Sequence, residues 1–340
     1  MDITLYDYDL PPGYIAQEPL KERDHSKLMI LNKKTGAIEN RKFFHIVDFL
    51  QPGDLIVLNN SKVLPVRLYG SKKNTGGKIE TLLIKPISDY QWEVLLKPGK
   101  RIHCGTKIFF STQLEAEVIS KNDKDGTYLI NMQANGDFHK ILYEIGKMPT
   151  PPYIKKELVK TSFYQTVYAS REGSIAAPTA GFHFTEKLLK EIEDKDVKII
   201  FLTLHIGRGT FEKMRVEQVE KHKMKSELFT ISTENARVIN KAMQDGRRII
   251  GVGTSVTRAL ESSFQQGRIV EGMEWTDLFI YPGFRFQVIK ALITNFHLPR
   301  STPLMLASAF AGRENLLSAY HEAIQKEYRF YSFGDAMFII

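Results

Sequence analysis

Three histidines lie beside apolar segments of this 340-residue chain, in positions where reactive side chains are expected. His205 lies at the end of the apolar run 198–206, His297 follows the run 291–296, and His183 lies in a loop that leads into a helix. Neutral imidazole accepts a proton near pH 7, so each can act as a general base. A single histidine after a strand is more often a structural group, but three in similar settings favour a shared catalytic site.

Glycine and polar residues that follow the same runs are candidates for substrate binding. Glycines after the run 198–206 permit a tight turn or the close approach of a ligand to the backbone. Free N–H groups that open a helix after the run 247–252 can hold an anion, with Arg258 one turn further along. Ligands of α/β proteins bind beyond the carboxyl ends of parallel strands. The candidate substrate-binding residues are Thr179, Gly181, Phe182, Phe184, Gly207, Gly209, Thr210, Phe211, Thr254, Ser255, Arg258 and Asn295.

Strands and helices that alternate along the second half of the chain must position these residues. The nearly continuous apolar run 198–206 is typical of a strand buried on both faces. Further strands are predicted over 247–252, 277–280 and 291–296. Helices are predicted over 233–245 with Ser232 or Thr233 as N-cap, from Val256, over 302–311 with Ser301 as N-cap, and over 314–328. The alternation predicts an α/β layer or barrel with a largely parallel sheet.

A different pattern, of short alternating strands separated by turn residues, occupies the middle of the chain. The predicted strands are 65–70, 78–85, 91–97, 106–110, 114–120 and 126–132. Regular short strands of this kind predict a small antiparallel β-barrel or sandwich. The proline-rich stretch 146–152 can continue neither a strand nor a helix, so it marks a boundary.

Two strand-like segments, 28–31 and 54–58, precede this region without an obvious core of their own. They are therefore expected to join the later α/β unit, which makes the β domain an insertion. The predicted organisation is a barrel-like α/β catalytic domain of residues 1–64 and 154–340 and an inserted β-barrel domain of residues 65–153.

Basic residues are most concentrated in the predicted insertion. The chain carries 47 Lys and Arg against 39 Asp and Glu, a net charge of +8, and residues 65–153 carry 13 against 9. Lys97, Lys100 and Arg101 surround one turn, where a polyanion such as a nucleic acid can dock. The alternative is that these charges only keep a small domain soluble.

The composition excludes several classes of protein. No apolar run approaches the roughly 18 residues of a membrane helix, and the acidic residues Asp2, Asp7 and Asp9 do not fit a secretory signal. Cys104 is the only cysteine and forms no internal disulfide, and no zinc-binding motif is present. A cytoplasmic protein without a metal is predicted.

The segments around the histidines resemble signatures of the S-adenosylmethionine:tRNA ribosyltransferase-isomerase family. The longest are 173–185 (GSIAAPTAGFHFT), 203–207 (TLHIG) with 209–211 (GTF), and 292–299 (LITNFHLP). Shorter matches are 23–26 (RDHS), 53–55 (GDL), 148–153 (MPTPPY), 328–330 (YRF) and 334–337 (GDAM). The motifs keep the order of the family from about residue 8 to residue 337. Three positions depart from it: Phe182 replaces a usual leucine, Arg208 a small or apolar residue, and Lys225 a common histidine.

The resemblance implies both a fold and a reaction. Family members combine an α/β barrel-like domain with an inserted β-barrel and act in queuosine biosynthesis in bacteria. They transfer and isomerise the ribosyl group of S-adenosylmethionine onto 7-aminomethyl-7-deazaguanine at the tRNA wobble position. The products are epoxyqueuosine, adenine and methionine. S-adenosylmethionine is consumed as a substrate, and no further cofactor is implied.

The scheme proposed for the family assigns tasks to side chains. The sulfonium acidifies the neighbouring ribosyl C5′ proton, a base removes it, and ring opening expels adenine. The tRNA amine then attacks, and epoxide closure expels methionine. Aromatic faces suit the sulfonium, hydrogen-bond donors the methionine carboxylate, and a carboxylate the amine proton. The candidates for these tasks are Phe182, Phe184 and Phe211; Thr254, Ser255 and Arg258; and Glu227 and Asp277.

Two other functions remain open from the residues. An S-adenosylmethionine-dependent RNA methyltransferase would move the methyl group and leave S-adenosylhomocysteine. A non-catalytic RNA-binding protein would explain the basic insertion but not the glycine and histidine turns, and it would yield no product. No segment predicts a dimer-forming helix, so a monomer is expected.

Overall fold

A computed structural model of the protein describes residues 1–156, 158, 160–207 and 214–340, with the backbone but not the side chain of Lys100. These residues form two compact units. One comprises residues 1–62 and 151–340, and the other residues 63–150. No helix in the described part of the chain combines the length and the apolar character needed to cross a membrane.

The strands and α-helices have the following bounds. The strands are β1 (Lys27–Leu31), β2 (Ile38–Lys42), β3 (Leu55–Asn59), β4 (Ser61–Val63), β5 (Arg67–Lys72), β6 (Lys78–Pro86), β7 (Gln91–Lys97), β8 (Lys107–Ser111), β9 (Leu114–Asn122), β10 (Thr127–Ala134), β11 (Arg171–Ser174), β12 (Lys198–Leu204), β13 (Glu227–Ile231), β14 (Ile249–Val252), β15 (Phe264–Gln265), β16 (Arg268–Ile269), β17 (Gly272–Thr276), β18 (Ala291–Asn295) and β19 (Ala336–Ile339). The helices are α1 (Phe138–Ile145), α2 (Glu186–Asp194), α3 (Thr233–Gln244), α4 (Thr254–Ser263), α5 (Thr302–Ala311) and α6 (Arg313–Gln325).

The first unit is built on a nine-stranded sheet with the order β17-β13-β12-β3-β14-β18-β19-β1-β2. Strands β12, β3, β14 and β18 run parallel to their neighbours within this group, and β1 is parallel to β19. The other four pairings are antiparallel. The α/β fold is therefore confirmed, while the expectation of a largely parallel sheet is wrong, because only half of the pairings are parallel.

Burial explains why the central strands are so apolar. Every residue of β3, β14 and β18 is buried, as is usual for parallel strands covered on both faces. One face packs against Leu304 and the rest of α5, which is almost entirely buried. The other face packs against Leu188 and Ile192 of α2 and against Phe43.

The second unit is a closed antiparallel barrel with the strand order β10-β7-β6-β5-β8-β9. Alternate residues of β7 are buried, which is the pattern of a strand with one face in a core and the other in solvent. The predicted antiparallel β-barrel is thus confirmed. The short helix α1 after the barrel was not predicted; Asp137 caps it by accepting a hydrogen bond from the Lys140 N–H at 3.1 Å.

Capping residues fix the starts of the later helices. Ser232 caps α3 through the Asn235 N–H, and Ser301 caps α5 through the Leu304 N–H, as predicted. Helix α4 begins at Thr254, two residues before the predicted start, and its N-cap is Gly253 with φ +88°. That backbone conformation suits glycine.

The strand predicted over 277–280 is wrong. The edge strand is β17, which ends at Thr276 and pairs with β13. The apolar character of 277–280 has another cause, since Ile280 is buried in the core of the unit without a place in the sheet.

Candidate active site

A crevice in the first unit lies beyond the carboxyl ends of three parallel-running strands. Ile206 follows β12, Gly253 follows β14 and Phe296 follows β18, and all three line it. This is the usual place for a ligand in an α/β fold. The lining includes seven of the predicted site residues: Thr179, Glu227, Thr254, Ser255, Arg258, Asn295 and His297.

Two tyrosines hold the backbone of His297 in the crevice wall. The His297 N–H donates to the Tyr320 hydroxyl at 2.9 Å, and the Tyr8 hydroxyl donates to the His297 carbonyl. The two rings meet edge to face, with centroids 5.1 Å apart. Burial raises the pKa of both phenols, so the hydroxyls stay protonated. Hydrogen bonds therefore fix both the N–H and the carbonyl group of His297.

The His297 ring carries one hydrogen bond and one available nitrogen. Its Nε2 lies 2.7 Å from Thr294 Oγ1, and no described residue is a partner of Nδ1. When Nε2 donates to Thr294, the lone pair is on Nδ1. Burial lowers the pKa of His297 to about 3, which keeps the ring neutral. A neutral imidazole in the wall of a crevice can accept a proton from a bound ligand.

His183 is buried beside the crevice and does not line it. Its Nδ1 lies 2.7 Å from Ser26 Oγ, and its Nε2 lies 3.3 Å from Asn295 Nδ2. An amide nitrogen donates, so Nε2 accepts and Nδ1 carries the proton given to Ser26. Burial, and then the charges of Arg329 and Arg23, lower the pKa of His183 to about 3. His183 thus fixes Asn295, which does line the crevice.

Glu227 and Arg258 form a buried ion pair in the crevice wall. Arg258 Nη1 donates to Glu227 Oε2, and Glu227 Oε1 accepts from the Gly207 N–H at 2.7 Å. The guanidinium also donates to the carbonyls of Leu278 at 2.9 Å and Thr276 at 3.2 Å. Both charges are compensated within the protein. Arg258 therefore offers little free charge for a substrate carboxylate.

The first turn of α4 gives the crevice a set of hydrogen-bonding groups. Thr254 and Ser255 follow Gly253, and Asn59 Nδ2 donates to Ser255 Oγ at 3.3 Å. The first N–H groups of a helix have no partner within it, so they are suited to an anion or a polar ligand. Across the crevice, Thr179 Oγ1 lies 3.4 Å from Asn295 Oδ1.

The structure does not bring His205 into this group. Neighbouring side chains of an extended strand point to opposite faces, and Ile206 is the one that lines the crevice. His205 instead packs on Gly173, where a Cβ would lie 2.9 Å from its Cε1. Burial lowers the pKa of His205, and its Nδ1 has no partner among the described residues.

Several other predicted residues lie outside the crevice lining. Phe184 is fully buried, 5.0 Å from the Phe43 ring, and Phe182 lines a second, smaller cavity. Gly181 lies against Tyr168, whose hydroxyl would be 2.0 Å from an added Cβ. Asp277 is exposed.

The remaining predicted residues lie in the barrel or outside the part of the chain that the structure describes. Lys97 at the end of β7 and Arg101 in the following turn are both exposed. Among the residues named from the sequence, those outside the described part are Arg208, Gly209, Thr210, Phe211 and the side chain of Lys100.

Sequence reasoning missed the residues that support the crevice from behind. Tyr8 and Tyr320 lie far from His297 along the chain, and no local pattern connects them with it. Thr294 was not singled out because it lies within the apolar run of β18. Ser26 belongs to the segment 23–26, whose resemblance to the family was its only signal.

Comparisons with known proteins place this architecture among characterised relatives. A family model described as queuosine biosynthesis protein matches residues 3–339. S-adenosylmethionine:tRNA ribosyltransferase-isomerases of Clostridium kluyveri and Halothermothrix orenii are 51% and 50% identical over 341 residues, which is 100% of each chain. A crystal structure of S-adenosylmethionine tRNA ribosyltransferase from Thermotoga maritima is similar with a TM-score of 0.58 and 37% identity, over 99% of this chain and 100% of that one.

Proposed function

This chain belongs to the queuosine biosynthesis protein family, and from that membership we propose that its crevice binds the reacting part of S-adenosylmethionine with His297 as the general base. The activity of the chain is that of an S-adenosylmethionine:tRNA ribosyltransferase-isomerase, with S-adenosylmethionine and tRNA as substrates. The nucleoside in the tRNA is 7-aminomethyl-7-deazaguanine at the wobble position, and the products are epoxyqueuosine, adenine and methionine.

The geometry of His297 carries the assignment of the base. Of the three candidate histidines, it alone is among the described residues that line the crevice. When its Nε2 donates to Thr294, its Nδ1 is left to accept a proton. Its backbone is held by two hydroxyls, so the ring has a fixed origin. A base that is already neutral and already positioned needs no reorganisation before it reacts.

The reaction begins when His297 removes the C5′ proton next to the sulfonium. The electron pair left on C5′ opens the ribose ring and expels adenine, which takes up a proton. The tRNA amine then adds to C4′ of the unsaturated intermediate and loses a proton, which returns an electron pair to C5′. That carbon attacks the C1′ aldehyde left by the loss of adenine, and the alkoxide formed on C1′ displaces sulfur from C5′. Closure of the epoxide releases methionine as the sulfur takes back the electron pair of its bond to carbon.

Other residues of the crevice hold the substrate during these steps. Thr179 and Asn295 are placed for the ribose hydroxyls, and Asn295 is itself fixed by His183. Glu227 is the carboxylate in the crevice wall, and we assign to it the orientation of the tRNA amine. Asp277 has no part in this arrangement, because it is exposed and does not line the crevice.

The proposed domain roles and cellular setting follow from the same assignment. The unit of residues 1–62 and 151–340 is the catalytic domain, and the barrel unit of residues 63–150 contacts the tRNA. The protein acts as a monomer in the cytoplasm, where its tRNA substrate is present. Light scattering of the purified protein measures the monomer mass, and a dimer mass would contradict this part of the proposal.

Substitution of His297 tests the central assignment. In His297→Ala, adenine release from S-adenosylmethionine and precursor tRNA should fall about 10²- to 10⁴-fold, the usual contribution of a general base. His297→Gln keeps the polarity and should be equally slow. Mass spectrometry of the wobble nucleoside checks the product. The matched control is His321→Ala, an exposed histidine of α6, which should retain full activity. Wild-type turnover in both His297 variants would refute the role.

A further inference from the structure

A second, smaller cavity lies next to the crevice, and Ser332 lines both. Its wall combines two arginines, Arg23 and Arg329, with the ring of Phe182 and the buried His183. The base and sugar chemistry assigned to the crevice uses none of these arginines. The presence of two guanidinium groups in one small cavity therefore requires a separate explanation.

Arg23 is a partly buried cation without a carboxylate partner among the described residues. Its Nη1 donates to the Gln165 carbonyl at 2.6 Å and its Nη2 to the Ser162 carbonyl at 2.9 Å. The guanidinium carbon lies 5.6 Å from the centre of the Phe182 ring. These contacts hold the group in place but do not compensate its charge. Burial lowers the pKa of Arg23, so an added anion would relieve a real electrostatic cost.

Arg329 adds a second, partly compensated cation. Its Nη2 donates to Asp335 Oδ1 at 3.0 Å, and Asp335 also accepts from the Arg329 N–H at 2.8 Å. The charges of Arg329 and Arg23 both contribute to the lowered pKa of His183, which lines the same cavity. His183 itself is neutral there and adds no competing charge.

Unlike this cavity, the crevice has no arginine whose charge is left uncompensated among its described lining residues. Its arginine, Arg258, is already paired with Glu227, so an anionic group of a substrate would compete with a buried carboxylate. In the second cavity, Arg23 has no such competitor within the described chain. An anion that enters this cavity would share it with the Arg23 guanidinium, whose charge no described carboxylate compensates.

We propose that the cavity of Arg23 and Arg329 is an anion subsite that holds a carboxylate or phosphodiester group of a substrate while the ribose reacts in the crevice. The inference rests on the proposed function. The two sources of the anion are the methionine carboxylate of S-adenosylmethionine and a tRNA phosphate. Both meet the same chemistry, a guanidinium fork fixed by backbone carbonyls.

The test is Arg23→Gln, assayed by adenine release with each substrate varied in turn. The KM of one substrate should rise at least about tenfold, as expected for loss of a charge-assisted hydrogen bond. If the anion is the carboxylate, the KM of S-adenosylmethionine rises, and the preference of the wild type for it over decarboxylated S-adenosylmethionine disappears. If the anion is a phosphate, the tRNA KM rises. The slope of log KM against log[salt] then falls by about 1, the contribution of one phosphate contact.

Two further variants separate this role from a structural one. Arg23→Lys keeps the charge and should recover part of the lost affinity. Arg237→Gln removes an exposed arginine of α3 and should change neither KM. Unchanged KM values in Arg23→Gln would overturn the inference. It would also be overturned if both KM values rose while the salt slope and the preference between the two donors stayed as in the wild type. Absence of product from the wild type would instead contradict the proposed function.

Discussion

At the scale of residues, burial keeps two of the three candidate histidines neutral. The pKa of His183 and of His297 is lowered to about 3, whereas a histidine in the unfolded chain titrates near 6.5. Below about pH 6.5 the unfolded state therefore binds protons that the folded state does not. Stability is fully present above that pH and is lost as the pH falls toward the folded values.

This difference predicts the acid sensitivity of the protein. Between about pH 6 and pH 4, each of the two histidines should lower the free energy of unfolding by up to about 1.4 kcal/mol per pH unit. Denaturant titrations of the wild type and of His297→Gln measure the slope. The slope of the variant should be smaller by up to about 1.4 kcal/mol per pH unit, the contribution of one histidine, because glutamine does not titrate. Equal slopes in the two proteins would contradict a neutral, buried His297.

The tyrosines behind His297 predict a kinetic effect without a binding effect. Tyr8→Phe removes the hydroxyl that donates to the His297 carbonyl, and Tyr320→Phe removes the acceptor of its N–H. Each change should lower kcat about tenfold with little change in KM, and it should cost about 1–2 kcal/mol of stability. Steady-state kinetics and thermal melts check both. The control is Tyr90→Phe, because Tyr90 is 65% exposed. An equal fall of kcat in this control would contradict a specific role of Tyr8 and Tyr320 in holding His297.

Most element boundaries were predictable from the sequence because local chemistry sets them. Serine caps mark where α3 and α5 begin, and apolar runs mark β3, β12 and β18 in the sequence. The strand β17 was not predicted, and its burial does not follow its sequence pattern, because the apolar residues Met273 and Trp275 are both exposed. The segment after it is apolar for packing in the core, not for pairing in the sheet.

The turn after β7 carries the prediction for tRNA binding. Lys97→Gln with Arg101→Gln removes two exposed charges and should raise the tRNA KM, flatten its salt dependence and leave the KM of S-adenosylmethionine unchanged. Kinetics at several salt concentrations measure this. Lys124→Gln, in the exposed turn between β9 and β10, is the control for a general loss of charge. An unaltered salt slope in the double variant would assign those lysine and arginine charges to solubility alone.

At the scale of the whole molecule, the chemistry predicts independence from any added cofactor. In the proposed mechanism the sulfonium of S-adenosylmethionine activates the C5′ proton, and both leaving groups come from the same substrate. Dialysis against EDTA should therefore leave kcat and both KM values unchanged. Loss of activity that Mg²⁺ or Zn²⁺ restores would show that a metal takes part.

The location of the site was predictable, but its composition only in part. Residues after successive parallel strands meet in one crevice, so His297, Asn295 and Thr254 could be grouped from the sequence. The face on which a side chain lies depends on a shift of one residue, which is why His205 was grouped with them although it points away. The supporting tyrosines depend on contacts between distant parts of the chain, which no local pattern contains.

The order of strands in the first unit also dictates how the protein can be made. Strand β3 pairs with β12 and β14, and β1 pairs with β19, so the earliest strands have partners that a ribosome synthesises only after the barrel strands. Barrel strands β5 to β10 are contiguous in the chain and pair among themselves. During translation the barrel should fold first, while β3 and the edge of β1 that does not pair with β2 wait for their partners until synthesis is nearly complete.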